Sequence, residues 1–210
     1  MGNYQRKDHL YLKAKSEGYR SRAAYKLQEL DQKYHLIKPG MKVVDLGCAP
    51  GGWLQVAAAK VGRLGMVIGI DRLVVKSFRL GEIKGREGEI NSPIILTGDI
   101  TDVEIQQQVI KEAGSKVDLI LSDMSPDLTG VYFQDAARSA ELVEIAFTIA
   151  NILLKPKGNI VTKIFPGTES DQLFLEMKKN YKKLSRVALK STRKTSKEFY
   201  FVGEGFVGEE

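Results

Sequence analysis

The chain has 210 residues, 43% hydrophobic and 28% charged, which suits one globular domain spanning 1–210 with a full-sized core and excludes a disordered or fibrous chain. Thirty-two Lys and Arg against 26 Asp and Glu leave a net charge of +6, an excess that favours a polyanionic partner wherever it is clustered. The single cysteine, Cys48, excludes an intramolecular disulfide and a multi-cysteine metal site, so a cytoplasmic chain without metal is expected.

The first segment, 1–22, has no apolar stretch of the kind a secretory signal needs. It sets Arg6, Lys7, Lys13, Lys15, Arg20 and Arg22 among Tyr4, Tyr11 and Tyr19, a mixture able to pair phosphates and stack bases. Over 21–34, Ala24, Leu27 and Leu30 recur at helical spacing until Pro39-Gly40 ends the pattern. Short apolar runs MKVVDL, MVIGID, PIILTGD, VDLILSD and NIVTKIF then alternate with helical stretches near 52–61, 102–113, 135–154 and 168–181. The stretch 142–154 is interrupted by Glu144 and falls short of the ~18 apolar residues of a membrane span. LSRVALK and EFYFVGEGF, separated by a polar linker, read as a closing β-hairpin. The expected fold is α/β: a doubly wound, mostly parallel, seven-stranded sheet of the Rossmann-like kind whose last strand is antiparallel. The most loop-like segment is 81–93.

DLGCAPGGW, at 45–53, follows the first strand, where open parallel sheets bind ligands beyond their carboxyl edge. Its spacing is neither G-x-G-x-x-G nor a Walker turn, so the glycines alone do not choose the ligand. Three strands end in Asp71, Asp99 and Asp123, an acidic rim that would repel phosphate. It suits S-adenosylmethionine, with Asp71 accepting from the ribose hydroxyls and Asp99 from the adenine amino group. The alternative for any one of the three is an ordinary turn or N-cap aspartate.

From SRAAYKL through DLGCAPGGW, ID, GDI, SDMSPDLTG and VTKIF to SKEFYFV, the sequence resembles the FtsJ-like (RrmJ-type) ribose 2′-O-methyltransferases. The resemblance implies cofactor contacts at Gly51, Trp53, Asp71, Asp99 and Asp123, with plain packing of the first helix as the other reading of Trp53. It implies catalytic roles for Lys26, Asp123, Lys163 and Glu198. Cys48 stands where that family usually has alanine, and the interval from Asp71 to Asp99 is longer than the family's.

Topology offers a separate test of the four catalytic positions. Asp123 and Lys163 end parallel strands at the ligand edge, and an antiparallel last strand begins there with Glu198. The helix before the first strand descends from the same edge with Lys26 in its early turns. Lys163 is the candidate base: desolvation and the nearby Lys26 favour its neutral form, Asp123 and Glu198 the charged one. In the alternative, the carboxylates aim the two ammonium groups and alignment supplies much of the rate. SDMSPD lacks the aromatic of the Asn-Pro-Pro-Tyr turn that holds a flipped base, so a hydroxyl target is favoured.

Nine basic residues and no acidic one lie between Lys178 and Lys197: Lys178, Lys179, Lys182, Lys183, Arg186, Lys190, Arg193, Lys194 and Lys197. With the basic N-terminal segment they point to RNA; the other reading is a solvated face. The resemblance implies structured RNA, most often a uridine of large-subunit (23S-type) ribosomal RNA, and a monomer with no membrane partner is expected. The rivals are a tRNA anticodon-loop ribose methyltransferase, a noncatalytic RNA-binding protein on the same fold, and a nicotinamide oxidoreductase.

Overall fold

The computed structural model describes residues 8–79, 81–83, 90–193 and 195–208. Of the basic and aromatic residues noted above, Tyr4, Arg6, Lys7 and Lys194 lie outside that set, as do residues 84–89 of the 81–93 loop.

The apolar runs form one sheet: β1 (Lys42–Leu46), β2 (Met66–Asp71), β3 (Ile94–Thr97), β4 (Val117–Ser122), β5 (Leu154–Ile164), β6 (Tyr181–Val187) and β7 (Phe199–Phe206). Their order is β3-β2-β1-β4-β5-β7-β6, and every pairing is parallel except those β7 makes with β5 and β6. The expected sheet is therefore present, with its antiparallel last strand inserted between β5 and β6. The strand order reverses between β1 and β4, so a crevice opens at their carboxyl ends.

Among the described residues, six α-helices accompany the sheet: α1 (His9–Ser16), α2 (Ala24–Tyr34), α3 (Gly52–Val61), α4 (Val103–Ala113), α5 (Tyr132–Leu153) and α6 (Thr168–Met177). One core packs α4, α5 and α6 against Val44, Leu46, Ile120, Ile160 and Phe201. The other packs α2 and α3 against Val43, Leu119, Leu121, Val161 and Tyr200. Because side chains alternate along a strand, Asp45, Asp123, Lys163 and Glu198 share parity with the second set and turn toward α2.

Three observed elements differ from the expected ones. Residues 9–16 of the basic N-terminal segment form α1, started by Asp8, whose side chain accepts from Tyr11 N–H at 2.9 Å. Helix α6 stops at Met177 rather than near 181, because Tyr181 is extended and buries its ring against Phe206, 5.5 Å between centroids. Strand β5 begins at Leu154, five residues before the apolar run NIVTKIF, with a register shift against β4 near Val117.

Helix α2, which carries Lys26, is held at three points. At its end the buried Asp31 accepts from Ile37 N–H at 2.7 Å and pairs with Lys60 of α3 at 2.6 Å. At its start the Ala23 carbonyl accepts from the Trp53 indole at 2.7 Å. In between, Glu29 accepts from the backbone N–H groups of Lys190 and Ser191, at 2.8 and 2.9 Å, tying the β6–β7 connection to the helix. Exposed His35 closes α2 in a left-handed conformation, with φ 51°. Replacing Asp31 by Ala orphans the Ile37 N–H and unpairs Lys60, so a loss of about 1–3 kcal/mol is expected in urea unfolding.

Candidate active site

Lys163 lies near the end of β5, paired with Tyr200 of β7, and one step beyond the Ser122–Thr162 pair of β4 and β5 stands Asp123. The Lys163 ammonium, only 5% exposed, donates to the Asp123 carbonyl at 2.7 Å and lies 3.3 Å from its Oδ1. From α2, Lys26 Nζ reaches Glu198 Oε1 at 2.5 Å and Asp123 Oδ1 at 3.7 Å. The four residues expected to converge do so, as an alternating chain Lys163–Asp123–Lys26–Glu198.

Two further supports were not read from the sequence. Tyr200 donates its hydroxyl to Asp123 Oδ1 at 2.7 Å, and Thr192 and Ser196 donate to the two oxygens of Glu198 at 3.3 and 3.2 Å. Tyr200 lies two residues past Glu198 and so on the same side of the strand, a signal that strand parity carries. Burial opposes ionisation of Asp123, but Lys163, then Lys26 and the Tyr200 hydroxyl outweigh it and hold the carboxyl below its ordinary range. Tyr200 moves the other way, raised well above its usual value by burial and by Asp123 and Glu198, so it stays a donor.

The turn after β1 meets the end of β4 at the crevice. Gly47, at φ +73°, sits against Met124, where a Cβ would lie 2.5 Å from the Met124 Cγ. Asp71 Oδ2 accepts from Ala49 N–H and its Oδ1 from Leu73 N–H, both at 2.8 Å, which fixes the carboxylate at the end of β2. Asp99 is held below its ordinary range by backbone and hydroxyl hydrogen bonds from Thr101, with Arg72 adding to them against burial. Asp71, Asp99 and Asp123 therefore lie along one edge. A fourth carboxylate, Asp45 on β1, went unassigned in the sequence because it reads there as the lead-in to the glycine turn. It is 1% exposed, and neither oxygen has a hydrogen-bond partner.

Gly51 and Trp53 are placed differently from the aspartates. The Gly51–Gly52 step is covered by the chain itself: a Cβ on Gly51 would meet Phe78 and Arg20 at 3.0 and 3.1 Å. Trp53 is 3% exposed, its indole spent on Ala23 and its ring 6.1 Å from that of Tyr200, so the side chain packs beneath the site. Arg20, grouped by sequence with phosphate-pairing residues, instead holds Lys76, Ser77, Phe78 and Glu82 over the turn. Its guanidinium donates to the Lys76 and Ser77 carbonyls, pairs with Glu82 at 2.5 Å and stacks 3.7 Å above Phe78. Cys48 is buried, and burial with Asp45 and Asp71 pushes its thiol up, away from nucleophilic use.

On the other side of Lys26 and Glu198 lies a cavity of about 660 Å³, lined among others by Arg22, Leu128, Tyr132, Phe165, Arg193 and Lys197. Only part of the basic run reaches it. Lys183 pairs with Glu204 at 2.9 Å, and Arg186 pairs with Asp171 at 2.6 Å and covers Phe174, so these serve the far edge of the sheet. Charges unopposed along the chain are opposed in space.

Residues 19–206 match the profile of the FtsJ-like methyltransferase family. The chain is 43% identical over 206 residues to a ribosomal RNA large subunit methyltransferase E of Methanothermobacter thermautotrophicus, covering 98% of this chain and 93% of that one. It is 39% identical to the protein of the same description from Syntrophobacter fumaroxidans, over 96% of each. A solved structure described as a ribosomal RNA methyltransferase from Plasmodium falciparum superposes with a TM-score of 0.76 at 27% identity, over 91% of this chain and all of that one.

Burial, with Asp123 and Asp71, pushes the Asp45 carboxyl well above its usual range. A group raised in the folded state favours folding most below its unfolded value of about 3.9, and that contribution is lost as pH rises toward the folded value. Asp45→Asn is therefore expected to stabilise the ligand-free protein at pH 7 by on the order of 1–3 kcal/mol. In urea unfolding the gain shrinks toward nothing near pH 4.

Proposed function

Because the chain belongs to the FtsJ-like methyltransferase family, we propose that it transfers the methyl group of S-adenosylmethionine to a ribose 2′-hydroxyl of large-subunit ribosomal RNA. The observation that carries this reading is the contact chain Lys163–Asp123–Lys26–Glu198, set between an acidic rim and a cation-lined cavity. The names of the relatives, ribosomal RNA large subunit methyltransferase E, support the choice of RNA.

The rim fits the donor. Asp71 and Asp99 would hold its ribose and adenine: each Asp71 oxygen accepts one backbone bond and keeps a lone pair, and both Thr101 bonds to Asp99 fall on Oδ1, leaving Oδ2 to accept. The carboxylates of Asp71 and Asp99 make this edge favourable for a cation and hostile to a pyrophosphate, which counts against a nicotinamide cofactor. S-adenosylmethionine, when bound, supplies a methyl group already activated by its sulfonium charge.

The chain's own residues then have one task, to present a hydroxyl. Lys163 directs its ammonium at the Asp123 carbonyl and carboxylate, and a third N–H remains to hold the ribose oxygen. Lys26, fixed between Glu198 and Asp123, guards the other side of that oxygen. The two carboxylates keep the amines from turning to solvent, so the hydroxyl would be aligned in line with the methyl group, its proton passing to solvent as the oxygen–carbon bond forms and the carbon–sulfur bond breaks to leave a neutral thioether. Burial of Lys163 removes competing water.

Lys163→Ala is expected to lower methyl transfer to the RNA by roughly a thousandfold while cofactor affinity stays within about twofold. Asp71→Ala should weaken cofactor binding by about ten- to a hundredfold. Radiolabel transfer and calorimetric titration separate the two, and equal loss of both properties in both variants contradicts this division of roles.

A further inference from the structure

Two of the cations lining the cavity, Arg22 and Arg193, lie together although their charges repel. Burial and the neighbouring Arg193 both hold the Arg22 guanidinium below its ordinary value. What joins them is the carboxylate of Asp8. Its Oδ2 is ion-paired with Arg22 Nη1 and lies 3.2 Å from Arg193 Nε, while its Oδ1 caps α1. Arg22 is further fixed by donating to the Ser191 carbonyl, and Ser191 is itself held by Glu29. The guanidinium pair is thus built into the turn that leads into α2 and into the β6–β7 connection, whereas the carboxylate that contacts both comes from the start of α1.

One oxygen shared by two guanidinium groups is the geometry a phosphate oxygen takes between two arginines. A phosphodiester carries the same single charge as the carboxylate. The element that brings Asp8 is also easily moved, since α1 is eight residues long and buries only Ala14. We propose that Arg22 and Arg193 form a seat for a phosphodiester of the RNA substrate, and that in the RNA-free protein the Asp8 carboxylate occupies that seat and must leave it when RNA enters. The inference rests on the RNA-methylating reading above. It adds a phosphate subsite beside Lys26 and Glu198, and an internal competitor for it.

The test is Asp8→Asn, which keeps a side-chain acceptor for the Tyr11 N–H and removes the charge. Binding of a 23S-type rRNA transcript to the full chain is measured over a salt series, in parallel with transfer from labelled S-adenosylmethionine. The variant should bind about three- to tenfold more tightly at fixed salt. The dependence of log affinity on log salt should steepen by roughly 0.7–0.9, since one more phosphate is neutralised without an internal anion being released. KM for RNA falls with kcat unchanged, and in an Arg193→Gln background the gain disappears. Asp8→Ser, with another good N-cap residue, repeats the measurement should the amide alter α1. Unchanged or weaker binding with an unchanged salt slope in both variants overturns the seat, even while methyl transfer proceeds. An Asp8-dependent affinity without transfer to the transcript or to the assembled subunit leaves the seat standing and removes the enzymatic reading.

Discussion

The carboxylate of Asp123 is the point at which four distant parts of the chain are held together. Its Oδ1 lies near Lys163 of β5 and Lys26 of α2, and accepts a hydrogen bond from Tyr200 of β7. Taking charges out of water is costly, and removing one member of such a group leaves the others uncompensated. Alternating acids and bases with two extra hydroxyl bonds to Glu198 offset that cost here. The same arrangement aims Lys163 and keeps it from solvent. What stabilises the charges locally also does the orienting.

This arrangement depends on the sheet's polarity. Parallel strands β2, β3 and β4 deliver Asp71, Asp99 and Asp123 to one edge, and β7, running the other way, starts there with Glu198 just before it. Strand parity turns Asp45, Asp123, Lys163 and Glu198 to the side where α2 packs. Helix α2 is in turn pinned by Asp31, Glu29 and Trp53. Trp53 therefore contributes from below, by fixing the helix that carries Lys26, rather than by presenting its ring at the surface.

Charge is where chain order and spatial order part most clearly. The nine basic residues from Lys178 to Lys197 look like one patch in the sequence. Strand β6 carries several of them to the outer edge of the sheet, where Glu204 and Asp171 pair with Lys183 and Arg186. Arg193 and Lys197 reach the cavity, and Arg22 joins them from the other end of the chain. Arg20, two residues earlier, faces the glycine turn and holds a loop over it.

Local patterns were enough to determine the seven strands and the antiparallel sense of the last one, and the topology they imply brings to one edge the four positions that the family resemblance singles out, Lys26, Asp123, Lys163 and Glu198. Alternation of apolar runs with helical stretches dictates a parallel sheet, and a parallel sheet has one edge for all its carboxyl ends. Helix α1 was not legible because its eight residues bury almost nothing, so no apolar stripe marks it. The cover over Gly51, the isolation of Asp45, the support from Tyr200 and the pairing of Asp8 with two arginines were decided only by tertiary structure. Each is a contact between residues far apart in the chain, and whether a charge is opposed or a glycine exposed depends on which neighbours folding brings to it.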